Sequence, residues 1–512
     1  ANGSGALYYN TSGSDNTANG GNSLSANTTG SGNTADGINT LLFNTTGNNN
    51  TAIGKYALLN NTTGSISTAV GHLALYLNST GTANIAIGNT ALFNNTSKSE
   101  LVAVGDSALF NNGIGASLAF QATQNTAVGA KSLKSNTTGS SNTAIGFQVL
   151  VFNNTGYSNT ATGSHSLFSN TSGDQNTATG YESLYSNISG TNNIAMGFQA
   201  LKLNTNGSQN IALGSFALGA NTTGFNNIAM GHFGLGSNSA GNDNTAIGFQ
   251  ALSANSVGDK NTAVGYRSLA KNTTGIDNTA NGAFTLEDNT IGYFNTASGY
   301  EALLSNTTGF GNTADGVQAL RINTTGFRNT AIGTSAGSFI ITSSNNTTIG
   351  FNAHVDVAAS SNQIRIGDQN ITLATTKVAW TTSSDARYKE QIRTIPLGLN
   401  LISKLRPVDY MRIDNKKENN GAIPETLETG FIAQEVEQVL KELGYQQSGM
   451  ITKNDSGYYG MRYNDLLAPM VKAIQELDQQ TGELKKNNEE LKKQNEDLLK
   501  RVETLEKLIL KK

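Results

Sequence analysis

The chain has no cysteine among its 512 residues, which excludes disulfides, thiolate metal sites and thiol nucleophiles and leaves the redox compartment open. Proline is almost missing: Pro396, Pro407, Pro424 and Pro469 are the only copies, and they lie beyond the single tryptophan, Trp380. Charge is scarce, at 13% of residues with a net of −3, so nothing in the bulk electrostatics favours nucleic acid or an anionic membrane. No apolar run approaches the roughly 18 residues a membrane helix needs. The composition fits neither collagen, which wants glycine at every third position with much proline, nor a charged disordered tail. His72, His165, His232 and His354 are scattered without metal-ligand spacing and read as surface positions. No nucleotide loop, zinc motif or glycosidase-like carboxylate pair stands out. Neither a metal nor another cofactor is expected, and no external substrate. The start at Ala1 rather than Met fits removal of an export signal, and fits trimming of the chain equally well.

What the chain has is repetition. Glycine reaches 57 copies and asparagine is abundant. An Asn-Thr-Ala-x-Gly signature recurs from Asn16, Asn33 and Asn50, loosens at positions 67, 84 and 101, and resumes at Asn125, running without a slip to Asn346. Every step is 17 residues except that from 101 to 125, which is 24. A short period sustained over twenty copies is the signature of a solenoid. Leu stands four residues after the Gly in eighteen copies, from Leu24 to Leu320, so that position is interior. The recurring Gly, as at Gly54 and Gly146, marks backbone with positive φ or a very close neighbour, and the variable residue before it reads as partly buried.

Seventeen residues suit a coil of two short strands and two turns, stacked about 4.8 Å from the next. The absence of proline fits backbone that must hydrogen-bond to its neighbours, and the asparagines are candidates for side-chain ladders. One coil carries so few apolar side chains that three chains sharing an interior are expected. The fold class read here is mainly β: a parallel β-roll or β-solenoid of about twenty coils, intertwined as a homotrimer, then a small α+β domain and a helical coiled coil. The extra residues around 110–124 should bulge from a turn, as loop slack or as a binding loop. The Asn-x-Thr triplets match glycosylation acceptors, but the repeat itself generates them.

The Ala-Ile-Gly-centred copies Ala52-Ile53-Gly54, Ala144-Ile145-Gly146 and Ala246-Ile247-Gly248 resemble the head repeats of trimeric autotransporter adhesins over about 1–367. That resemblance implies a left-handed parallel β-roll in a trimer.

After Trp380 the texture changes. Apolar spacing predicts a helix over about Leu397–Leu405, a second from Gly430 to Leu443, a short strand over Tyr459–Tyr463 and a long final helix after Asp465. In that helix Leu477, Leu484, Leu491, Leu498 and Leu505 fall seven apart at d, with Leu467, Ile474, Thr481, Asn488, Asn495, Val502 and Ile509 at a. This is a coiled-coil pattern. Leu at d with Asn at a suggests a parallel dimer by itself. The repeats argue for three chains, and three is the reading taken.

Four separated motifs occur in order: Ser384-Asp385-x-x-x-Lys389, Leu405-Arg406-Pro407-Val408, Gly430-Phe431-Ile432-Ala433-Gln434-Glu435-Val436, and Tyr463-Asn464-Asp465 running into the final helix. Together they resemble the endosialidase-type intramolecular chaperone domain over about 384–480. The resemblance implies a homotrimeric domain that brings fibres into register and then cuts itself off by a serine–lysine dyad. Ser384 would be the nucleophile, Lys389 the base and Ser384–Asp385 the scissile bond. A hydroxyl needs a base, and a lysine serves once desolvation has removed its proton. The plainer alternative is that Ser384 caps a helix begun by Asp385.

The expected organisation is a fibre over 1–367, a linker over 368–383, the chaperone over 384–465 and the C-terminal helix over 466–512. The function expected is a secreted or cell-surface trimeric fibre, adhesive or structural, with single-turnover self-cleavage as its one enzymatic activity. The alternatives are a phage-type tail fibre, hence a virion-tail location, and a chaperone retained as a trimer clamp. The chain itself is the expected partner, with a host-cell, matrix or glycan receptor as the candidate external one.

Overall fold

A computed structural model describes every residue except 356–359, 369, 372–373, 376, 378–382, 412–426, 446–448, 454–456 and 512. Trp380, Pro424 and much of the expected linker fall outside the described residues. The chain divides into two units, Ala1–Asp368 and Gln369–Lys512.

The first unit is a parallel β-solenoid. Each coil contributes one three-residue strand, from β1 (Thr17–Asn19) through β21 (Ile364–Ile366), and each strand pairs in parallel with the next, one period on. Register is set by the central residue, Ala18 on Ala35 and Ala35 on Ala52. That alanine points inward and is 0–2% exposed, while the β-branched or polar residues flanking it face out, because side chains alternate along a strand. The residue before the Gly is accordingly half-buried or exposed, as with Ile53 and Met196. Across the long step β6 (Val102–Val104) still pairs with β7 (Thr126–Val128), so the additional residues leave the stack without disturbing it. They expose Ile114, Leu118 and Phe120.

The expectation of two strands per coil is corrected: the remaining sides are turns. Their backbone alternates in hand, with Asn22 and Leu24 at φ 55° and 50° and the same pair of positions left-handed in most coils. A left-handed non-glycine residue costs roughly 1–2 kcal/mol, and full burial of a leucine gives back about 1.5–3 kcal/mol. Leu24, Leu41 and their successors are 0% exposed, so the strain is offset in place. The Gly that precedes this segment is held by both of its expected causes. Gly54 has φ +123°, and a Cβ there would stand 2.7 Å from the carbonyl oxygen of Gly71.

The expectation of a shared interior rests on an apolar count, and within a single chain that interior is already buried. One chain closes its own core, and asparagine is the reason. Two columns made mostly of Asn, buried except at the first coil, run through the stack, with Ser67 and Leu101 standing in the second. In the first, Asn44 Nδ2 donates to Asn27 Oδ1 at 2.7 Å and to the Gly47 carbonyl at 3.0 Å, and Asn44 Oδ1 accepts from Asn61. In the second, Asn193 gives its backbone N–H (3.0 Å) and its amide (3.1 Å) to Asn176 Oδ1, and also donates to the Gly207 carbonyl. Amides paired this fully fill volume that an apolar count treats as empty, without the cost of burying an unpaired polar group. The Asn of triplets such as Asn27-Thr28-Thr29 has its amide hydrogens committed inside the rod, so in the folded chain it is a structural element and not a glycan acceptor.

The second unit begins with a 3₁₀ turn (Ala386–Tyr388) and a short helix α1 (Leu399–Ile402), followed by β22 (Val408–Tyr410) and β23 (Glu428–Gly430), which pair antiparallel. Helix α2 (Ala433–Glu442), the antiparallel pair β24 (Ile451–Lys453) and β25 (Tyr459–Met461), and helix α3 (Leu467–Ile509) complete it. Each expected element is present and shorter than its apolar pattern, except α3, which is 43 residues long. Leu397, Leu401, Val436, Leu440, Met450 and Leu466 form a small core. No helix of the described residues is long and apolar enough to cross a membrane.

Replacing Asn255 with Ala removes the partner of both Asn238 and Asn272 and leaves buried amide groups unpaired, at about 1–3 kcal/mol each. The expected outcome is a lower urea midpoint and faster amide exchange in the adjoining coils. An unchanged midpoint would remove the ladder from its structural role.

Candidate functional site

The segment that carries Ser384 and Lys389 is folded by its own side chains. Asp385 accepts a hydrogen bond from the Arg387 backbone N–H at 2.9 Å, which caps the 3₁₀ turn, and its carboxylate also binds the Arg387 guanidinium, with Nη2–Oδ2 at 2.6 Å. The turn closes when Lys389 N–H reaches the Ala386 carbonyl, and Lys389 then leaves in extended conformation. That reversal carries the lysine side chain back along the turn, and its Nζ donates to Ser384 Oγ at 2.6 Å.

The cap of this turn is Asp385, and the Ser384 hydroxyl is engaged by Lys389. The hydrogen bonds of Arg387 hold the Asp385 carboxyl below the usual carboxylate range, so its charge is fixed and is balanced by the guanidinium beside it. Ser384 and Lys389 are both exposed in the single chain. Among the described residues, the side-chain hydrogen bonds of 384–389 stay within that segment.

The other three motifs are brought together. Pairing of β22 with β23 lays Val408 against Gly430, and Arg406 Nε reaches Glu435 Oε2 at 3.1 Å. A Cβ on Gly430 would stand 2.4 Å from Tyr463 Oη, which accepts from the Phe431 N–H at 3.1 Å. The tyrosine hydroxyl packs directly over that glycine. Glu476 of α3 caps α1 by accepting from Leu399 N–H at 2.7 Å, a contact that spacing along the sequence did not signal.

Helix α3 presents the d column unpartnered. Leu477 is 46% exposed and Leu484 64%, with Leu491, Leu498 and Leu505 between those values. Only Pro469 and Ala473 of the whole helix are buried. A continuous row of exposed leucines at heptad spacing has the pattern of one face of a coiled coil.

Glu435 provides a check on the motif contacts. Arg406 holds its carboxyl below the ordinary glutamate range, so the pairing is present at and above that range and is lost as pH falls through the lowered value. An NMR titration of Glu435 should show a depressed midpoint that returns upward in Arg406→Gln. A midpoint indifferent to Arg406 contradicts the contact.

Comparison with known proteins bears on the second unit alone. No curated protein and no solved structure matches the chain. Residues 384–445 match the family model described as chaperone of endosialidase, a span that opens on Ser384 and takes in Lys389, Arg406 and the Gly430–Val436 motif. The region from Ser384 to Tyr445 is a chaperone-of-endosialidase domain, carried behind a β-solenoid of about twenty coils.

Proposed function

We propose that the chain is an extracellular fibre of tail-fibre or adhesin type, secreted or on a surface, whose C-terminal region joins three copies and then releases itself. The domain family suggests a tail-fibre- or endosialidase-like protein that self-associates. The observation that carries the cleavage step is the 2.6 Å contact between Lys389 Nζ and Ser384 Oγ at the start of that domain. The organisation follows the reading above: fibre over 1–367, linker over 368–383, chaperone over 384–465 and helix over 466–512.

The chemistry runs as follows. Covering the exposed dyad on assembly favours the neutral amine, because desolvation disfavours the ammonium. Lys389 then takes the Oγ proton, Oγ adds to the acyl carbon of residue 384, and the C–N bond to Asp385 breaks as Lys389 returns the proton to the departing amine. Water hydrolyses the ester. Within one chain this addition would close a four-membered ring, so the reaction is assigned to the hydroxyl of one chain and the carbonyl of its neighbour. Cleavage therefore follows assembly. Residues 385–512 depart with the coiled coil, and no external substrate is involved.

A denaturing gel checks the step: the wild type should give two bands, with the smaller fragment beginning at Asp385, and Ser384→Ala or Lys389→Ala should give one. An intact wild type would favour the retained clamp. Association has its own measurement. Sedimentation of Ser384→Ala should show a trimer, and adding Leu484→Asp and Leu491→Asp to the exposed seam should shift it to monomer. A trimer unaffected by both changes would locate the contacts elsewhere.

A further inference from the structure

Outside the dyad, the solenoid carries one side-chain constellation twice. At the first copy, Lys202 Nζ (2.7 Å) and Gln199 Nε2 (2.8 Å) converge on Oε2 of Glu182. At the second, Arg321 Nε (2.6 Å) and Gln318 Nε2 (3.0 Å) converge on Oε2 of Glu301. The offset is 119 residues at every position, which is seven periods of 17. Both follow a tyrosine, in Gly180-Tyr181-Glu182 and Gly299-Tyr300-Glu301. The other coils do not repeat the set: Gln250, for example, is followed three residues later by Ser253.

Each cluster closes one end of a groove on the side of the rod, of about 280 Å³ beyond Gln199 and Lys202 and about 380 Å³ beyond Gln318 and Arg321. The first groove is cut by glycines at one position of two successive coils, Gly219 and Gly236, where the residue after the column leucine is bulky in many coils, as with Tyr76, Phe93 and Phe168. Phe216 and Phe233 wall it, stacked at 4.8 Å and 11°. The second groove replaces that pair with Phe339 and His354, whose rings lie 4.2 Å apart. Burial holds the His354 imidazole below the ordinary histidine range, which favours its neutral form.

We infer that these grooves are two binding sites for one ligand class, a neutral pyranose glycan, with a sugar face on the ring pair and its hydroxyls on the amide–carboxylate–cation cluster. A groove with apolar rings and a few convergent polar groups is the usual form of a small-ligand site. A sugar ring offers both an apolar C–H face and a rim of hydroxyls. The cation of each cluster is already paired to a glutamate, which leaves no unpaired positive charge for an anionic sugar. Seven coils at about 4.8 Å place the sites roughly 34 Å apart in the same register, so one polysaccharide chain can engage both. The inference does not depend on self-cleavage.

The test uses the full chain against immobilised oligosaccharides of neutral hexoses and N-acetylhexosamines, with sialylated and sulfated glycans alongside. Binding to neutral probes is expected, with two sites per chain by calorimetry. Phe233→Ala should silence one site, and Phe233→Ala with His354→Ala should lower affinity at least tenfold; Phe233 is exposed and His354 half-buried, and circular dichroism checks that each variant keeps the fold. Failure to bind any neutral probe, binding confined to the anionic glycans, or affinity unchanged in the double variant would each overturn it.

Discussion

Nearly every coil holds two asparagines whose amides bond to neighbouring coils, with Ser67 and Leu101 standing in the second column, and most of what is unusual in this chain follows from that constraint. An asparagine amide has two donors and a carbonyl with two lone pairs. Here one donor goes along the rod to the preceding Asn and the other to a glycine carbonyl, as at Asn44 and Asn61. The pattern closes only when neighbouring coils are in register, so a slip by one residue would unpair both columns at once. The 17-residue period is preserved because the hydrogen bonds run at that period.

The same columns account for the core. A leucine, one or two alanines and a pair of asparagines make a cross-section that is small, mixed in polarity and closed. Glycine is usual where the coil turns against the ladder, with Lys98 and Ser343 at that position in two coils. A Cβ on Gly47 would lie 2.3 Å from the Gly64 carbonyl oxygen and 2.4 Å from Asn44 Oδ1. With the interior this constrained, variation is confined to outward positions, where it accumulates as stacked rings such as Tyr76, Phe93 and Phe110, as ion pairs, and as the two related grooves. The insertion near 110–124 obeys the same logic: Asn112 keeps its place by donating to the Ala122 carbonyl, and the intervening residues loop out.

In the second unit the contrast is between a small joined core and two exposed features. The three later motifs are tied by Tyr463, Arg406 and strand pairing. The dyad and the leucine seam of α3 face water in the single chain. These are the parts whose proposed chemistry needs a second surface: a lysine that has to lose its proton and a leucine row that has to be covered.

Much of this was legible in the order of residues. The period, the interior leucines, the ladders and the heptads of α3 are repeat properties, and a repeat displays its interior by what each copy keeps. The pairing of Ser384 with Lys389 was legible through resemblance, since five residues of spacing do not by themselves bring two side chains into contact. What the tertiary structure decided is that each coil buries its leucine together with its amides, because an apolar count does not register hydrogen-bonded amides as filling. It also decided that the outer sides are left-handed turns rather than strands, that Asp385 caps the turn, and that Glu476 reaches Leu399 across 77 residues. Those outcomes depend on which groups meet in space, and separation along the chain carries no record of that.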